Sequence, residues 1–146
     1  MTRARVGLTA LLVVVPLLTG CGRGQSYCDA VQEHQSELGS IVQSGDRTAL
    51  IQALPVFRDL SSKAPADVTA DWTLLVTRVT ALQSALDHAG VDPASYDPRH
   101  PPAGLDAEDR GLIRDAAARL AATDTQQALA NVQQEVRDVC HTPLEL

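Results

Sequence analysis

The residues best able to do chemistry in this 146-residue chain are its four histidines, three cysteines and eighteen acids. A metal site needs several such groups at short, regular spacings, for example two histidines four apart on one helix face. His34, His88, His100 and His141 are scattered and form no pair of that kind. His34 and Glu37 stand three apart, a spacing that chance readily supplies, so no metal site is expected. Acid–base catalysis needs carboxylates paired in a pocket with their acidities pushed apart. Asp46, Asp59, Asp71, Asp87, Asp115 and Asp138 instead fall where helix caps and solvated faces would lie. The motifs G-x-S-x-G and S-x-x-K are missing, as is a glycine-rich phosphate loop. His141 adjoins Cys140, so Cys28 with His141 is one reading as a thiol nucleophile. Neither an enzyme nor a cofactor is expected.

The start of the chain explains why a structural role for Cys140 is the stronger reading. Arg3 and Arg5 precede an apolar stretch from Val6 to Leu18, broken only by Gly7, Thr9 and Pro16, and the first acid is Asp29. This is the charged and apolar part of an export signal. It is too short to cross a bilayer, whose core of ~30 Å needs about 20 apolar residues in a helix. The stretch ends in Leu18-Thr19-Gly20-Cys21. Those four residues resemble the lipobox of bacterial lipoproteins, an aliphatic residue and two small ones before a cysteine. The resemblance covers residues 1–21. It implies a diacylglycerol on the thiol of Cys21, cleavage before it, and a protein held to the extracytoplasmic face of the cell membrane by acyl chains such as palmitate.

With Cys21 given to lipid, Cys28 and Cys140 are left for each other in a compartment where disulfides persist. Two free thiols, or a metal pair with histidine, are the alternatives. In the chain-entropy account a bridge closing so long a loop contributes about 4–5 kcal/mol. Loss of residues 1–20 removes Arg3 and Arg5 and no acid, so the formal charge moves from −6 to −8. Acidity of that size argues against nucleic acid or an anionic surface as a partner through a basic patch. The remaining length suits one domain with one core. Only Tyr27, Phe57, Trp72 and Tyr96 are aromatic, which favours helix-on-helix packing over sheets.

The elements that would carry these residues read as helices throughout. Signal peptide 1–20 and a short tether at 21–26 precede a bundle over 27–141, and 142–146 form a tail. The first helix is expected over 27–44, with Ser26 as cap, Tyr27, Val31, Leu38, Ile41 and Val42 on its apolar face, and Gly45 at its end. A second starts at Asp46 and carries Leu50, Ile51, Leu54, Phe57 and Leu60, with a kink or break at Pro55. The third has the clearest pattern: Val68, Trp72, Leu75, Val79, Leu82, Leu86 and Ala89 recur at alternating steps of four and three, as a helix packing into a bundle requires. It is expected to be the most buried element.

Residues 91–105 hold four prolines and read as a loop, with Tyr96, Asp97, Arg99 and His100 as a possible contact surface. A fourth helix begins at Asp106, with Leu112, Ile113, Ala116, Ala117 and Leu120 on its apolar face. A fifth follows the capping-box spacings Thr123–Gln126 and Asp124–Gln127 and carries Leu129, Val132, Val136 and Val139. Five strictly alternating helices would leave Cys28 and Cys140 at opposite ends. Either the proline loop therefore crosses the bundle, which is the expectation adopted, or the broken second or short fourth helix is not a full traverse.

The expected fold is thus all-α, a bundle of four to five helices stapled by one disulfide. In layout and composition the mature chain is similar to small all-helical lipoproteins of high-GC Gram-positive bacteria, which place one cysteine just after the anchor and one near the C-terminus. The resemblance implies location and fold without an activity. Two functions are then expected: a non-enzymatic surface module that binds a protein partner or envelope component, or a carrier or sensor with a small-ligand pocket between helices. A cavity between the third helix and its neighbours would favour the carrier, and a solid core with an exposed apolar patch the surface module.

Overall fold

Alanine and leucine at helical spacing produce six helices in a computed structural model that describes residues 22–144 and 146. They are α1 (Gly22–Gln43), α2 (Ala49–Gln52), α3 (Leu54–Lys63), α4 (Thr69–His88), α5 (Ala107–Leu120) and α6 (Thr123–Cys140). There is no strand among the described residues. No helix among them is long and apolar enough to cross a membrane. The residues expected to form the export signal, and Cys21, lie outside the described residues.

Several helix ends differ from expectation. α1 starts at Gly22 and runs through the span expected as tether, so Ser26 lies inside the helix instead of capping it. The break in the second helix falls at Ala53, which leaves Pro55 in the first turn of α3. There its missing N–H costs nothing, because first-turn donors have no partner in the helix. Asp46 does not cap a helix directly; its carboxylate accepts from the N–H and hydroxyl of Thr48, building the turn before α2. The capping boxes are not formed either. Ala122 is the N-cap of α6, and Gln126 reaches the Ala121 carbonyl instead.

Gly90 (φ +64°) closes α4. Its N–H donates to Asp87 O and that of Val91 to Leu86 O, which together make a Schellman ending. The chain after α6 turns back through His141 in the left-handed region (φ 54°). The tail is consequently packed rather than free: Leu144 is buried, and Leu146 rests half-buried on the core.

Paired residues set the helix directions. Trp72 near the start of α4 meets Tyr27 near the start of α1, so these two run parallel. Arg78 pairs with Asp124, and Asp71 with Asn131; steps of seven in opposite senses make α6 antiparallel to α4. His88 stands 3.8 Å from Asp109, and Leu86 packs with Leu105 and Ile113, so α5 starts beside the end of α4 and also runs back along it. α5 and α6 thus lie end to end as one broken stave.

The proline loop does not cross the bundle, contrary to expectation. It folds back at one end, and the short-fourth-helix alternative holds. Four staves alternate, α1, α2 with α3, α4, and α5 with α6, which returns Cys140 to the end where Cys28 begins. The two are bridged, with Cα atoms 5.2 Å apart. α4 contacts α2, α3, α5 and α6. Its burial is not the densest, however: four of its twenty residues are buried, against four of ten in α3. A helix at the centre of a small bundle still shows solvent a face between its neighbours.

Candidate functional site

The core has two storeys. The larger joins Tyr27, Phe57, Leu60, Trp72, Val132 and Val136 near the disulfide end. The smaller, at the far end, is only Leu86, Leu105 and Ile113, with Ile51, Leu82 and Tyr96 half-buried against it. The second storey is thin for a reason visible in the chain. α1 has already ended at Gln43, α2 is a single turn, and the wall facing them is a loop whose prolines cannot pack as a helix.

A cleft of about 670 Å³ opens there, between α4, α5, α2 and the loop. Leu82, Leu86, Ile113 and Ile51 make its apolar floor, and Pro93, Tyr96 and Pro98 one side. Its size is within the range of small-molecule sites. Three arginines stand on its rim: Arg47 from the turn before α2, and Arg110 and Arg114 one turn apart on α5. No carboxylate is among its lining residues.

The loop residues expected as a contact surface divide by role. Tyr96 turns inward onto the second storey, and its carbonyl accepts from the Arg47 guanidinium at 3.1 Å. Asp97 builds the loop: one carboxylate oxygen accepts the Arg99 N–H at 2.9 Å and the other pairs with His100 Nδ1 at 3.0 Å. The His100 ring, then the Arg99 amide, holds the Asp97 carboxyl below its ordinary range. Arg99 and His100 themselves are exposed. Sequence reasoning placed Tyr96 in the loop but missed Arg47, Arg110 and Arg114; the last two share a face of α5, but Arg47 is distant in the chain and joins them at the cleft only through tertiary packing.

A second, smaller crevice of about 140 Å³ runs between α1, α2 and α6 down to Phe57, Leu75 and Val79. Val42 and Leu50, expected in the core, stand about half exposed at its mouth (45% and 42%). Leu112 and Val139, likewise expected on apolar faces, are also outside.

The histidines do not converge. His34 bonds Asp59 at 3.1 Å and Glu37 at 3.3 Å, and Lys63 shares the same Asp59. Asp59 is held below its ordinary range, mainly by Lys63. Among the described residues no three His, Cys, Asp or Glu side chains are grouped to hold a metal. Cys28 and Cys140 are spent in the bridge, so the thiol-nucleophile reading of Cys28 with His141 falls. In comparisons with protein families, curated proteins and solved structures, no match to this chain was found.

Proposed function

We propose that this protein is a lipid-anchored, non-enzymatic binding protein on the extracytoplasmic face of the membrane, and that it holds a small ligand in the cleft between α4 and α5. One observation carries the reading: an apolar cleft of about 670 Å³ on the flank of α4, ringed by a few polar groups, is how helical bundles accommodate ligands. The Leu-Thr-Gly-Cys sequence supports the anchor. α1 begins at Gly22, immediately after Cys21, so an acyl chain there would leave the cleft at the other end of a helix about 30 Å long. The opening would face away from the membrane.

Purification of the processed lipoprotein under mild conditions, followed by native mass spectrometry, tests this. A small molecule should accompany the protein at one copy per chain. Ala117→Trp, which places a large ring in the cleft from an exposed position on α5, should abolish it. Recovery of the same molecule with the cleft filled would overturn the reading.

A second reading, docking of an envelope protein, is favoured by Val42 and Leu50 beside the smaller crevice. Capture of one defined partner that Leu50→Asp loses and Ala117→Trp retains would select it.

A further inference from the structure

We infer that the ligand of the α4–α5 cleft is an amphipathic anion, a carboxylate or phosphate head on a hydrophobic body, with Arg110 and Arg114 as the residues that take the head. The inference rests on the binding reading above and adds the chemistry of the ligand. Its first ground is charge. Beyond residue 20 the chain carries eighteen acids and ten bases. A cleft lined at random from that set would present acids, yet this one is lined by three arginines and no carboxylate.

The second ground is how the three arginines are already engaged. Arg47 donates to the Tyr96 carbonyl, and its charge bears on Asp46 and Asp97. Arg114 has only a loose 3.9 Å approach to the carboxylate of Asp115. The Arg110 guanidinium makes no ion pair or hydrogen bond with another described residue; only its backbone N–H is engaged, donating to Asp106 O. Arg110 and Arg114 are four apart on one helix, where like charges repel. An anion between them would relieve that repulsion and accept the paired N–H groups that guanidinium presents to carboxylate and phosphate.

The third ground is the floor. Leu82, Leu86, Ile113 and Ile51 offer nothing polar, so an inorganic ion would leave the apolar surface wet. A hydrophobic body attached to the head would cover it. The partner chemistry that satisfies rim and floor together is therefore an amphiphile of negative charge.

The head could belong to a free molecule or to a membrane phospholipid, and the test separates them. The full-length processed lipoprotein in nanodiscs of zwitterionic lipid would be titrated calorimetrically with octanoate, octyl phosphate, octanol and octyltrimethylammonium, with empty discs as reference. Octanoate and octyl phosphate should bind most tightly. Arg110→Gln with Arg114→Gln should weaken both anions by about tenfold or more and leave octanol unchanged, whereas the doubly Lys-substituted protein should retain most of the affinity. Equal binding of octanol and octanoate, or undiminished anion binding to the Gln variant, would overturn the anion while leaving the binding reading intact. Binding of none of the four probes would overturn both. Discs doped with anionic phospholipid distinguish the source: occupancy without added probe, blocked by Ala117→Trp, marks a membrane headgroup, and its absence alongside octanoate binding marks a free amphiphile.

Discussion

Trp72 donates its indole N–H to the hydroxyl of Tyr27 at 2.8 Å, both side chains being fully buried and 45 positions apart in the chain. The bond ties the starts of α1 and α4 within the larger storey, where the Trp72 ring also meets Phe57 at 5.7 Å between centroids. Burial pushes the Tyr27 hydroxyl up to about 12, so it stays neutral and able to accept well above neutral pH.

Replacing either partner should be costly, by different amounts. Trp72→Ala removes the largest core side chain and should destabilise by about 3–5 kcal/mol. Tyr27→Phe keeps the packing but leaves a buried indole N–H unsatisfied, at about 1–3 kcal/mol. Urea unfolding of both single variants and the double would check this. Losses that simply add would show that the bond contributes nothing.

The bridge between Cys28 and Cys140 closes a loop with a sequence separation of 112. Reduction should lower the melting temperature while leaving the room-temperature helical signal nearly intact, since the packed core does not depend on the sulfurs. The chain-entropy account sets the loss at up to about 4–5 kcal/mol. Circular dichroism melts with and without reductant measure it. Collapse of the helical signal on reduction at room temperature would mean the core cannot hold the staves alone.

Glu135 of α6 is half-buried, and its carboxyl is raised above its ordinary value by desolvation first and by the Asp67 charge second. The folded protein therefore holds that proton more tightly than the unfolded chain. Stability falls as pH rises from 4.5 through the raised value, and the loss is complete above it. Glu135→Gln should thus raise the melting temperature at neutral pH and change it little in acid below the ordinary glutamate range. A benefit of equal size at both ends of a pH series would assign the effect to something other than charge.

The anchor is tested independently of the fold. Cys21→Ser should prevent acylation and move the domain out of the membrane fraction, because the thiol is the group that accepts the lipid in proteins with this motif. Radiolabelled fatty acid and fractionation of the variant give the answer. Undiminished label would place the lipid elsewhere.

Much of this protein was legible without coordinates because it depends on neighbours in the chain. Five of the seven spaced residues from Val68 to Ala89 are buried, with Leu82 and Ala89 half-buried. Gly45 and Gly90 end helices in the left-handed conformation, and the pairing of Cys28 with Cys140 was expected once Cys21 was assigned to lipid. Helix periodicity, punctuation and cysteine arithmetic are local or combinatorial, so the sequence by itself determined them. The direction of each stave is neither. Only Ala121 and Ala122 separate α5 from α6, and so short a link could reverse the chain or continue it. It continues because Ile113 packs onto Leu86 while Val132 and Val136 pack into the larger storey, which stretches both helices along α4. That one choice made the crossover unnecessary, folded the proline loop back at one end, and left an unfilled space beside Arg110 and Arg114. Burial between distant segments decides such matters, and tertiary structure alone carries it.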